Sequence, residues 1–203
     1  MKKQNVILKG DSLFYNEKEE FVQDFINFND FKNKKIIINV LNEELNTTSF
    51  YVGRIFSKNN AVQKIIENNF PHNEDVLYDY KINKNEAYIY SIRAGRNILP
   101  IIKKNKNFKI VPFQYIIMQF LNRKIHSKDN IISIIKYENI YYCLILKNRI
   151  LIKNYVNRDL IRIISEIKSA YDIKFVYSNF NIENSNFKFK IINIEDYLNE
   201  KLL

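Results

Sequence analysis

NEAYIYSIRAGRNILPIIKKNKNFKIVPFQYIIMQFL, residues 85–121, is the stretch whose reading decides the fold. Across residues 86–93, Ala87, Ile89 and Ser91 alternate with Tyr88, Tyr90 and Ile92, the period of a strand with two unlike faces. Gly95 breaks that run. Beyond Asn97, Ile98, Leu99, Ile101 and Ile102 recur at helical spacing, and Lys103, Lys104 and Lys106 follow where positive charge suits the C-terminal end of a helix dipole. Residues 108–111 form a short apolar strand. Pro112 then fits the first turn of a second helix, where its fixed φ is already helical and its missing N–H has no bond to lose. The expected buried stripe of that helix is Tyr115, Ile116, Met118, Gln119 and Phe120. Strand, helix, strand, helix is an order, not a chemistry, and no residue in the stretch is catalytic in pattern.

Outward from this centre the same two periods place the other elements. Residues 5–8 and 12–15 are two short strands joined by Lys9-Gly10-Asp11, a hairpin signal. Phe21, Val22, Phe25, Ile26 and Phe28 share a helical face, and IIINVL at residues 36–41 reads as a strand covered on both sides. Residues 42–48 are polar, and residues 49–56 read as a strand bent at Gly53. A helix with Ala61, Val62, Ile65 and Ile66 on its apolar side follows, N-capped by Ser57 and stopped by Pro71. VLYDYKI at residues 76–82 then pairs with residues 86–92 as a hairpin. Three runs at residues 131–137, 140–146 and 149–155, joined by two-residue polar links, make a meander. A helix starts at Asn157 or Asp159 with Leu160, Ile163, Ile164 and Ile167 inward, and strands at residues 173–177 and 187–192 lead to a final helix over residues 194–202. No repeat of solenoid period is present.

Composition bounds the function classes. With 203 residues, 46% hydrophobic and 14% aromatic, the chain holds enough apolar mass for one folded domain and is not of disordered type. A net charge of +10 and a pI near 9.4 attract phosphates or an anionic surface at long range. Lys and Arg are nevertheless scattered, and the abundance of Lys, Asn, Ile and Tyr beside three Gly, three Pro and no Trp fits AT-rich codon usage. The single Cys143, inside YYCLIL, has no partner for an intramolecular disulfide and reads as a small buried hydrophobe in a reducing compartment. No apolar run reaches the ~20 residues that span a bilayer, and MKKQNVILKG is too poor in apolar residues for a signal peptide. A cytoplasmic protein that reaches the inner face of the membrane only through a partner is expected.

In order of elements the chain resembles PilM, the type IV pilus assembly protein, and the cytoplasmic domain of GspL, its type II secretion counterpart. The local matches are Asn69-Phe70-Pro71 leading into Tyr78-Asp79-Tyr80-Lys81, and Val111-Pro112 ahead of the second central helix. About three quarters of the chain is covered. The resemblance implies an α/β fold with mixed sheets: one actin-like, ribonuclease-H-like domain over residues 1–203, with a small α/β subdomain inserted at residues 35–92. It also implies a non-catalytic scaffold whose partners are the cytoplasmic tail of a single-span inner-membrane protein, PilN-like or GspM-like, and an assembly ATPase.

Where actin-like ATPases wrap phosphates in Gly-rich hairpins, this chain offers only Lys9-Gly10-Asp11-Ser12, and the expected adenosine loop reads Tyr177-Ser178-Asn179-Phe180. No cofactor is therefore expected. Basic nucleic-acid binding and a small ATP-binding protein of the same fold remain as alternatives.

Among single residues, Asp11 reads as a turn aspartate or a metal-binding acid, and Asp79 as a junction-ordering or an outward polar residue. His72 and His126 join no Cys or paired carboxylates at ligand spacing, and His126, Ser127 and Asp129 read as a loop, so neither a metal nor a catalytic site is expected. The expected partner-binding residues are Tyr78, Asp79, Tyr80, Arg93 and Arg96.

Overall fold

The structure, a computed structural model, describes residues 2–16, 18–28, 34–53, 58–70, 73, 75–126, 130–170, 175–182 and 187–202. Expectations for residues 54–57, Pro71, His72, Ser127 and Asp129 lie outside the described residues.

The first hairpin forms where Lys9-Gly10-Asp11 places it: β1 (Lys2–Lys9) pairs antiparallel with β2 (Ser12–Tyr15), and Gly10 turns the chain at φ 56°. A further strand, β3 (Lys18–Phe21), pairs with β2 ahead of α1 (Val22–Phe28). Phe21, grouped with the helix by spacing, thus belongs to this edge strand and is 70% exposed. β4 (Lys34–Leu41) lies parallel to β1 on one side and to β8 (Phe108–Pro112) on the other. The first sheet therefore runs β3-β2-β1-β4-β8.

Between β4 and β8 come β5 (Asn46–Tyr51), α2 (Lys58–Asn69), β6 (Val76–Asn83), β7 (Glu86–Arg93) and α3 (Gly95–Lys104). The first, third and fourth of these form a separate sheet of order β5-β7-β6. Its two faces follow from the alternation read in the sequence. Ala87 and Ile89 pack with Val62 of α2, while Tyr88, Tyr90 and Ile92 join the main core. Residues 34–41 pair wholly within the first sheet, so the separate sheet draws its strands from residues 46–93.

The helix α4 (Phe113–Lys124) buries Phe113, Gln114, Ile116, Ile117, Phe120 and Leu121. This corrects the expected stripe. Gln119 is exposed and Gln114 is fully buried, because the packed helix presents a face that includes its first two residues. Pro112 closes β8 and sits at the N-cap rather than in the first turn.

The second half opens with the meander β9 (Ile131–Tyr137), β10 (Ile140–Lys147) and β11 (Ile150–Asn157). Its second link is Asn148-Arg149, both at positive φ, as a twisted two-residue hairpin requires. α5 (Leu160–Ala170) begins at Asp159, whose Oδ1 accepts from the Ile161 and Arg162 N–H groups. β12 (Phe175–Ser178) and β13 (Lys188–Ile191) then run parallel to β9, and α6 (Glu195–Leu202) ends the described chain.

The order of this sheet is β11-β10-β9-β12-β13. Each of the two five-stranded sheets is thus a three-stranded antiparallel meander whose first strand carries two parallel strands on its far side. The central core, with α4 and α6, joins both sheets, and α5 covers the outer face of the second, its Ile163 and Ile167 packing with Cys143 and Val176. Cys143 is fully buried, and burial pushes its thiol far above the usual range.

Candidate functional site: a groove between two sheet edges

β6 ends the small sheet and β8 ends the first large sheet. Between these two end strands lies a groove of about 280 Å³, lined by Leu77, Tyr78 and Asp79 of β6, Tyr90 and Ile92 of β7, Ile110 and Pro112 of β8, Tyr115 of α4, and Leu45. The local pattern explains the lining: Leu77 is paired with Ile92 and Asp79 with Tyr90, so all four point to the face turned toward the core.

Tyr115 donates its hydroxyl to Asp79 Oδ2 at 3.1 Å, linking α4 to β6 across the groove. Tyr90 stacks edge-on against Tyr115, with centroids 5.7 Å apart, and donates its own hydroxyl to the Leu151 carbonyl at 3.1 Å. Burial first, and the Asp79 charge second, push both phenols well above their ordinary range, so both stay protonated donors.

The wall at Leu45 is fixed from the second sheet. Asn154, 1% exposed on β11, accepts from the Leu45 N–H at 3.1 Å and donates to its carbonyl at 2.6 Å. Gln114 Nε2 donates to the Glu43 carbonyl at 2.5 Å and to Asn154 Oδ1 at 3.3 Å. Asn42, at φ 67°, donates its N–H to the Tyr142 hydroxyl, which in turn donates to Asn42 Oδ1 at 2.9 Å. The connection from β4 to β5 is therefore held by polar groups of the second sheet and of α4.

Of the residues expected from sequence, Tyr78 and Asp79 line the groove, and Tyr78 also stacks on Phe70 at 5.5 Å. Tyr80, 37% exposed, pairs with Ile89 on the α2 side of the sheet and does not line the groove. Arg96 directs its guanidinium to Asp75, Nε to Oδ1 at 3.2 Å and Nη2 to Oδ2 at 3.0 Å, which straps the start of β6 to the start of α3. Arg93 is exposed and acts on Glu43 by charge. Sequence reasoning missed Leu45, Leu77, Tyr90, Ile92, Ile110, Pro112 and Tyr115. The Tyr88-Tyr90-Ile92 alternation was the only local signal for any of them.

Glu43 titrates unusually. Burial lifts its carboxyl above the ordinary 4.5, the Arg93 guanidinium opposes the shift and Asp11 adds to it. A carboxyl whose folded pKa is raised binds its proton more tightly in the folded state, so it subtracts stability as pH rises from 4.5 through its folded pKa. Glu43→Gln should remove that loss, so its melting temperature should gain on that of the wild type as pH rises through the acidic range. Parallel profiles for the two proteins would refute this.

The two hairpin turns that correspond in the two halves meet. Lys9, beside the first turn, forms an ion pair with Glu138 in the first turn of the second meander, and Asn97 of α3 donates to the Gly10 carbonyl at 2.9 Å and to Asp11 Oδ1 at 2.8 Å. Asp11 is thus a bonded turn residue, and among the described residues no three His, Cys, Asp or Glu gather as metal ligands. Asn179 closes the other side, bonding the Lys136 N–H at 2.8 Å and its carbonyl at 2.9 Å.

No family model matches the chain, and no curated protein matches its sequence. Among solved structures it is similar to a Bacteroides thetaiotaomicron protein with an actin-like ATPase fold and unknown function, at TM-score 0.55 and 10% identity over 98% of this chain and 95% of that one. The fold is actin-like. The cytoplasmic domain of EpsL, an inner membrane component of the type II secretion system of Vibrio cholerae, shares this actin-like fold at TM-score 0.54 and 10% identity, over 98% of this chain and 93% of that one. A PilM-PilN type IV pilus biogenesis complex aligns at TM-score 0.48 and 8% identity over 88% and 81%, too weakly to carry weight. The two large sheets repeat one strand order, a feature that no single stretch of this sequence displays. Among the described residues no helix is long and apolar enough to cross a membrane.

Proposed function

We propose that this chain is a non-catalytic scaffold of a type IV pilus or type II secretion assembly platform, and that it holds the cytoplasmic tail of a PilN-like or GspM-like membrane partner. The observation that carries the reading is the apolar groove flanked by the end strands β6 and β8. End strands offer main-chain groups to an incoming extended segment, while Leu77, Ile92, Ile110 and Pro112 give its side chains an apolar seat. The small sheet with α2 acts as the lobe that closes over that segment. Two features support a scaffold rather than an ATPase: Lys9 beside the first turn is engaged by Glu138, and that turn carries one glycine.

The test is binding of tail peptides from membrane proteins encoded beside this chain. Affinity should change little between low and high salt, and Leu77→Asn or Ile110→Asn should weaken it at least about tenfold, the loss expected when an apolar seat worth about 1.4 kcal/mol is removed. Binding that ignores both substitutions would sink the groove. A steep fall with salt would instead favour the nucleic-acid reading, and a rise in melting temperature with millimolar ATP and magnesium would favour the ATPase.

A further inference from the structure

A further cavity shares no lining residue with the groove. It has a volume of about 540 Å³ and lies along β1, beside Lys3, Gln4 and Asn5. Its position follows from the hairpin register. β2 pairs with β1 from Ile7 to Lys9, and beyond Tyr15 the chain turns away at Asn16, φ 49°. On its other side β1 pairs with β4 along its whole length. Among the described residues, the outer edge of β1 at residues 3–5 therefore has no strand beside it, and this open edge borders the cavity.

The cavity is basic. Lys3, Lys9 and Lys34 line it, with Ile7, Phe14 and Leu202 as its apolar part, and none of the described lining residues is acidic. Lys9 already shows how an acid is received there: it sits over the Phe14 ring, 4.5 Å from the centroid, while pairing with Glu138. Lys3 and Lys9 lie six positions apart on one strand, about 20 Å at ~3.3 Å per residue. A single phosphate cannot bridge that span, whereas an extended chain paired at residues 3–5 can direct acidic side chains along the cavity from Lys3 toward its Lys9 end.

We propose that this cavity is a second docking site, which takes an acidic, extended peptide segment as an added strand on the open edge of β1. Main-chain groups at residues 3–5 supply the register, and Lys3 and Lys34 supply preference for acids. A peptide is favoured over a nucleic acid because a bare strand edge presents alternating N–H and C=O groups, which another peptide backbone matches and a sugar–phosphate chain does not.

The experiment measures binding of a labelled peptide of about eight residues alternating glutamate with valine, long enough to cover the open edge at residues 3–5 with residues to spare at each end. Saturable binding is expected that weakens with salt, falls at least about tenfold in Lys3→Glu/Lys34→Glu, and is lost when a central valine of the peptide is proline, which removes a ladder donor. Lys168→Glu, on α5 and outside the cavity lining, serves as the control for net charge and should bind as wild type. Equal binding of the proline peptide would show charge attraction without strand addition and would overturn the proposal, as would equal loss in Lys168→Glu. Tighter binding of a short single-stranded DNA with the same Lys3 and Lys34 dependence would assign the site to nucleic acid. Self-association abolished by Lys3→Glu/Lys34→Glu would assign it to a second copy of the chain. No peptide binding at millimolar concentration also overturns it. None of these outcomes bears on the groove, with which the cavity shares no lining residue.

Discussion

Phe113→Ala is expected to lower the free energy of unfolding by about 3–5 kcal/mol, as truncation of a fully buried aromatic does when its surroundings cannot collapse. Phe113 is 0% exposed and is the first residue of α4. Its ring lies 4.6 Å from that of Tyr142 and 5.0 Å from that of Tyr137, so it is the point where the helix that follows the first sheet meets the meander of the second. Removing it takes away ring–ring contact as well as buried area. At this chain length about 1 kcal/mol moves the melting temperature by roughly 2–4 °C, so a fall of about 10 °C is expected in a thermal scan. Phe113→Leu should keep most of the stability, because it fills most of the volume. A fall no larger than that of Phe113→Leu would mean that the two sheets are not joined through this ring.

The second large effect falls on Asn154. Asn154→Leu keeps the volume but removes both hydrogen bonds to the Leu45 main chain and the one from Gln114. Replacing one side of a buried hydrogen-bonded pair leaves the other side without a partner, at about 1–3 kcal/mol for each stranded group. With the Leu45 N–H and C=O both stranded, about 2–6 kcal/mol should be lost. The loss should also be local. Leu45 lines the groove, so hydrogen exchange at its amide should accelerate before global unfolding, and tail peptides should bind less well. Unchanged exchange at Leu45 would show that the β4–β5 connection is held by Tyr142 and Gln114 without Asn154.

Much of the element order was legible because its signals are local. The alternation at residues 86–93, the two-residue links of the meander and the Asp159 cap are read within a few residues, and the structure has a strand, a three-stranded meander and a capped helix at those places. The actin-like resemblance rested on that order, and the solved structures share the fold. The short strand at Lys18–Phe21 was not legible, because its polar residues alternate with nothing buried: its burial runs from half-exposed to exposed throughout. The face of α4 was misread because Gln114 is polar, and only its bonds to Glu43 and Asn154 make a buried place for it.

What the sequence by itself determined is most of where the chain is strand and where it is helix, since periodicity and turn residues act over a few positions. Which strands lie side by side beyond the hairpins and the meander, the doubling of the sheet order, the groove and the open edge of β1 were decided by tertiary structure alone. Every backbone carries the same donors and acceptors, so pairing is chosen by packing between distant segments: Asn154 finds Leu45 across 109 residues and Lys9 finds Glu138 across 129.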